Sequence, residues 1–134
     1  MIGLVIVTHG QLAEEFSKAV EHVVGRQKQM LTICIGADDD LNDRTNEIRV
    51  AVKEANSGDG VILLTDMFGG TPSNLALKFL AKGQVEVLAG MNLPMLIKLA
   101  EARKTMNLEQ VCNSAVEAGR KYMAIASEVL GARR

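Results

Sequence analysis

His9 ends the first apolar run in the order Val7-Thr8-His9-Gly10, and Asp66 follows the apolar run 61–64 in the order Thr65-Asp66-Met67-Phe68-Gly69-Gly70-Thr71-Pro72-Ser73-Asn74. An imidazole beside a carboxylate can serve as a general base, a metal ligand or a nucleophile. A metal needs three or four ligands. The only other histidine, His22, falls inside the following helix, roughly 18 Å of helix rise from the strand end, so a metal site is not expected. A hydrolase needs a nucleophile beside its base. Thr8, Thr65, Thr71 and Ser73 are at hand, but none sits in a G-x-S-x-G elbow. The glycines favour the third use. Gly10 and Gly69-Gly70-Thr71 each lead into a helix start, where free backbone N–H groups and the helix dipole stabilise a phosphate. Glycine also lets the backbone approach it closely. The loops therefore suit a phosphoryl group carried on His9. Asp66 would accept a hydrogen bond from one ring nitrogen, fixing the tautomer and leaving the other nitrogen to attack. Each feature taken singly also has a structural reading. His9 can be a bonded loop residue, Gly69-Gly70 a tight turn, Thr71-Pro72 a helix start, and Asp66 or Asn92 a turn cap. Their joint placement is what points to a site.

That placement depends on the elements around it. Residues 2–7 are continuously apolar and β-branched, as a strand buried on both faces is. A helix over 11–24 carries Leu12, Phe16, Ala19, Val20 and Val23 on one stripe. Residues 30–35 form a second strand. Asp38, Asp39 and Asp40 place negative charge at the start of a helix whose inner stripe is Leu41, Thr45, Ile48, Val52 and Ala55. Asn56-Ser57-Gly58-Asp59-Gly60 is a turn, and 61–64 is the third strand. Thr71 suits an N-cap and Pro72 a first helical position, for a helix running to about residue 81 and closed by Gly83. Residues 85–88 are the fourth strand. Asn92 lies just past it, and Pro94 opens a helix to about residue 104. Asn107 caps a last helix with Leu108, Val111, Cys112, Ala115 and Val116 inside. Residues 121–130 fit either more helix or an extended arm.

Alternating strands and helices with short loops give right-handed βαβ units. The expected fold is α/β: a single-domain, doubly wound, mostly parallel sheet in the order 2-1-3-4. That order sets strands one and three side by side, so His9 and Asp66 face one crevice.

The chain has 134 residues and a net charge of −1. This is one domain's length, with no electrostatic footprint for nucleic acid. The closing Gly131-Ala132-Arg133-Arg134 is read as a small solvated basic tail. No run approaches the ~18 apolar residues of a membrane span, and the start lacks the layout of a signal peptide. A cytoplasmic location is expected. Cys34 and Cys112 show no metal or redox spacing and read as small buried side chains. The seven methionines read as core or interface filler. No internal repeat or linker is present.

Three segments in order, the strand ending in Thr8-His9-Gly10, the run from Asp66 to Asn74, and Ala89-Gly90-Met91-Asn92-Leu93-Pro94-Met95-Leu96, resemble the mannose-family EIIA component of the bacterial phosphotransferase system. The resemblance covers nearly the whole chain, so residues 1–134 are taken as one such domain. It implies a phosphoryl carrier that receives its group from phospho-HPr, originally from phosphoenolpyruvate. The group is held on Nε2 of the residue matching His9 and passed to a IIB component for sugar uptake through a membrane permease. It implies that Asp66 orients His9, and that Thr71 lies near the phosphate with Gly10, Gly69, Gly70 and Asn92 as site support. No metal and no organic cofactor are implied. The resemblance further implies a homodimer, in some members with a C-terminal strand exchanged between subunits. Since many relatives continue into a fused IIB domain, a separate EIIB partner is expected here. Met67, Phe68 and Met91, apolar residues beside the active loops, are expected to form a docking rim.

Three other readings stay open at this level. The chain resembles the phosphocarrier domain of dihydroxyacetone kinase in its opening strand and histidine. It could be a regulatory module switched by phosphorylation of His9, without transport. It could also be a small flavodoxin-like cofactor binder, although with no Trp, one Tyr and three Phe it offers few rings to stack on a flavin.

Overall fold

The computed structural model describes residues 1–131; Arg133 and Arg134 of the expected basic tail lie outside the described residues. Four strands form one parallel sheet in the order β2-β1-β3-β4, with β1 Gly3–His9, β2 Met30–Ile35, β3 Val61–Thr65 and β4 Val85–Ala89. The expected order is thus the observed one. Every pairing is parallel, and Val7 on β1 lies opposite Thr65 on β3. The carboxyl ends of the two central strands therefore finish at one level.

Side chains of a strand alternate between faces, and the core divides accordingly. Leu4, Ile6, Ile62, Leu64 and Leu88 turn to one side, under α1 (Leu12–Val24), α4 (Leu93–Ala102) and α5 (Leu108–Lys121). Val5, Val7, Ile33, Ile35, Leu63 and Val85 turn to the other, under α2 (Leu41–Ala55) and α3 (Thr71–Leu77). The central strands β1 and β3 are buried on both faces, which is why they read as unbroken apolar runs, whereas the outer strands β2 and β4 are only partly buried and carry Thr32 and Glu86.

Three expected details differ. The inner stripe of α1 is rotated: Ala13 and Val20 are buried and Phe16 and Val24 pack on the core, whereas Leu12 and Val23 are exposed. The Thr8 hydroxyl accepts from the Ala13 amide at 2.7 Å and holds that residue inward. In α3, Gly70 and not Thr71 is the N-cap, Thr71 being the first helical residue. The helix stops at Leu77 because the next amides bond three residues back, Phe79 to Ala76 and Leu80 to Leu77. This tightened winding delivers the chain to β4 sooner than a longer helix would. The C-terminal segment, for which helix and extended arm were both open, is helical among the described residues: 126–131 form a short helix, α6 (Ala126–Gly131), with no buried residue.

Candidate functional site

The crossover from β1 to α1 and the one from β3 to α3 leave the sheet at adjacent points, where the sequence puts His9 and Asp66. His9 Nδ1 lies 2.9 Å from Asp66 Oδ2. A carboxylate oxygen only accepts, so Nδ1 is the donor. The same Oδ2 also accepts from the His9 backbone N–H at 3.2 Å. One oxygen thus fixes both the main chain and the ring of a residue 57 positions away. Asp66 is 14% exposed and His9 46%, so the carboxylate is tucked under the imidazole and the ring stands at the surface. Asp66 Oδ1 is buried with no partner among the described residues.

Gly70 lies against the free edge of that ring. Its φ is +83° and its ψ 174°, a region open essentially to glycine alone. A Cβ built there would stand 3.1 Å from both Cε1 and Nε2 of His9. Gly70 is therefore required twice, by its own backbone and by the imidazole. Gly69 has φ +98°, and a Cβ there would meet nothing within 4 Å. Among the described residues no backbone carbonyl accepts from the amides of Gly69, Gly70 or Thr71. They remain available to an anion beside Nε2.

The other expected site residues divide. Gly10 has φ +53° and turns the chain from β1 toward α1, but its N–H already donates to Ile35 O at 2.8 Å. It shapes the loop without offering a donor. Asn92 is occupied at both ends: Oδ1 accepts from Met95 N at 3.1 Å and Nδ2 donates to Gly119 O at 2.8 Å. It caps α4 and ties it to α5. Met91 is corrected. Gly90 at φ +77° reverses the chain, the Met91 amide bonds Thr65 O, and its side chain is buried in the core. Met67 and Phe68 do stand at the surface, 52% and 76% exposed. Of the four hydroxyl candidates, Thr8, Thr65 and Ser73 are fully buried, and Thr71 is half-buried at the start of α3.

Two contributors were not read from the sequence. Thr8, on the strand before α1, accepts from the Ala13 amide in the helix's first turn, a link whose only signal is a threonine five residues ahead of an alanine. Arg103 is buried beneath the opposite edge of the sheet. Its guanidinium donates to the carbonyls of Ile2, Lys28 and Gln29 and to Gln27 Oε1. It locks the amino ends of β1 and β2 and so fixes the register that carries His9.

Known proteins can now be set beside this geometry. The family model described as PTS system fructose IIA component matches residues 3–116. The chain is 31% identical over 122 residues to the mannose-specific EIIAB component of Escherichia coli, an alignment covering 90% of this chain and 38% of that protein. The chain thus spans well under half the length of that relative. It is 25% identical to the fructose-specific EIIA component of Bacillus subtilis, covering 97% of this chain and 90% of that one. Among solved structures, the PTS IIA protein associated with the fucose utilization operon of Streptococcus pneumoniae superposes with a TM-score of 0.84 at 26% identity, covering 96% and 95% of the two chains. The match spans the strand that ends in His9, the Asp66 loop and most of the last long helix: this chain belongs to the EIIA-man family of phosphotransferase-system IIA components.

Proposed function

We propose that this chain is a phosphoryl carrier of the phosphotransferase system, accepting a phosphoryl group from phospho-HPr on His9 and passing it to a IIB component for sugar uptake. The observation that carries this reading is the 2.9 Å bond from Nδ1 to Asp66, which in the neutral ring makes Nε2 the nitrogen with the free lone pair, beside Gly70. The Nε2 lone pair attacks phosphorus, the N–P bond to His9 forms, and the bond to the donor's nitrogen breaks. No proton need leave, because the ring's single N–H stays on Nδ1. Asp66 stabilises the positive charge that develops on the ring as Nε2 becomes bonded. The amides of Gly69, Gly70 and Thr71, from which no backbone carbonyl accepts among the described residues, would bind the phosphoryl oxygens in this reading. Transfer between two histidines needs mainly alignment and charge stabilisation, and both are supplied by rigid elements here.

The exposed Met67 and Phe68 form the docking rim of this proposal, now without Met91. HPr, an EIIB component and, through it, a membrane permease are the partners in this reading, with the chain acting as a cytoplasmic domain and as a homodimer. The names of its relatives do not favour the dihydroxyacetone-kinase, purely regulatory or flavin-binding alternatives. The test is incubation with phosphoenolpyruvate, Enzyme I and HPr, read by intact mass and phosphorus NMR, followed by addition of purified IIB. An acid-labile phosphate on the native chain, discharged by IIB and missing from His9→Ala, is expected. A native chain that stays unphosphorylated beside competent HPr refutes the proposal.

A further inference from the structure

We propose that the free edge of β2 is a docking groove for a basic, extended segment of another protein, which adds to the sheet as a further strand. The sheet order leaves β2 paired on one side only. Leu4 N donates to Gln29 O and Gly10 N to Ile35 O at the two ends of the β1–β2 ladder, and the register between them is unbroken. In a parallel pair the residues bonded to the neighbour alternate with residues turned away. Residues 29, 31, 33 and 35 therefore face β1. Met30, Thr32 and Cys34 direct their N–H and C=O groups outward, a ready template for strand addition.

A groove of about 620 Å³ runs along this edge, between it and the outer flank of α2. Its apolar floor includes Leu31, Ile33 and Val50, and its rim carries Asp43, Glu47 and Glu54. Among the described residues no lysine or arginine lines it. Glu47 is shared with Arg44, whereas Asp43 and Glu54 have no ion-pair partner among the described residues. The three carboxylates lie about 6 and 10 Å apart along the helix axis. Same-face side chains of an added strand recur every ~6.7 Å, so lysines or arginines at alternate positions would run beside this rim. The same charge disfavours a second copy of this chain. Two-fold pairing of β2 with β2 would bring two acidic rims together, and like charges brought face to face are destabilising. The groove lies on the sheet's outer edge, one strand removed from the β1–β3 crevice, so occupancy leaves Nε2 of His9 open.

The experiment is amide hydrogen exchange by NMR on the full chain, with a synthetic peptide alternating lysine and valine and with its glutamate-for-lysine counterpart. The lysine peptide should slow exchange of the Met30, Thr32 and Cys34 amides by about tenfold or more, and the glutamate peptide should not. The double variant Asp43→Lys, Glu54→Lys, which alters only exposed side chains, should abolish the effect while leaving the His9 imidazole signals in place. Three results overturn the proposal: no slowing with the lysine peptide, equal slowing with both peptides, or slowing that appears on raising protein concentration alone. The last would identify a second copy as the occupant.

Discussion

Replacing Gly70 with alanine separates what this loop does for stability from what it does for His9. At φ +83° and ψ 174° a side chain costs about 1–3 kcal/mol. A domain stabilised by about 5–15 kcal/mol stays folded under that load. The new methyl would also sit 3.1 Å from Cε1 and Nε2, against the ~3.5–4.0 Å of an unstrained contact. The ring must therefore withdraw by a few tenths of an ångström, while Nδ1 is held at 2.9 Å from Asp66. If a misplacement of 1 Å costs about 100-fold, this smaller one slows phosphorylation of His9 by roughly 3- to 10-fold. Gly69→Ala is the matched control: its φ of +98° carries backbone strain, but its Cβ would touch nothing. Urea unfolding and quenched-flow mass spectrometry on both variants give the two quantities. Both variants should lose stability, and only Gly70→Ala should shift the imidazole resonances and lose rate beyond the control. Equal rates in the two variants would refute the assignment of Gly70 as the ring's neighbour.

Asp66→Asn keeps the shape of the site but replaces a charged acceptor by an amide. The lost charge-assisted bond costs about 1–2 kcal/mol, which is 5- to 30-fold in phosphorylation rate. The loss is larger if the amide turns its NH₂ to Nδ1 and forces the proton onto Nε2; His9 side-chain nitrogen shifts would show which. Arg103→Met should lower stability by about 3 kcal/mol or more, because it strands buried carbonyls, and Arg103→Lys should restore only part; chemical denaturation measures both. The Gly36 amide and then Arg44 hold Asp39 below the ordinary carboxylate value of 3.8. A depressed pKa stabilises the fold above that value and loses the effect as pH falls through the folded one. The stability gap between the native chain and Asp39→Asn should therefore persist at neutral pH and close below pH 3.8. Burial pushes the Cys112 thiol up to about 12, so iodoacetamide at pH 8 should modify Cys34 before Cys112 in the native state, as peptide mapping would report.

The sheet was legible because its cause is simple. Strands buried on both faces must be continuously apolar, and the runs at β1 and β3 stand out for that reason. Strand–helix alternation then set the order, and the order brought His9 to Asp66. What escaped depends on where single side chains point. Met91 lies next to a site loop in sequence, but its burial follows from the backbone reversal at Gly90. Asn92 could be read as a turn cap, yet its bond to Gly119 spans 27 residues and leaves no local trace. Arg103 in Ala102-Arg103-Lys104 looks like an ordinary solvated cation near a helix end, and only the packed structure puts carbonyls from two strand starts around it. The helical end of the described chain was one of two patterns the residues allowed. Its apolar side chains, including Met123, Ile125 and Leu130, are exposed, so no burial on this chain decided between them.

The central claim is that Asp66 holds Nδ1 and leaves Nε2 as the phosphoryl acceptor. Its most direct test is a nitrogen–phosphorus correlation spectrum of the phosphorylated chain labelled with nitrogen-15 at histidine. The account predicts one phosphohistidine, His9, with phosphorus coupled to Nε2 and the proton retained on Nδ1. Phosphorus coupled to Nδ1, or carried on any other residue, would contradict it.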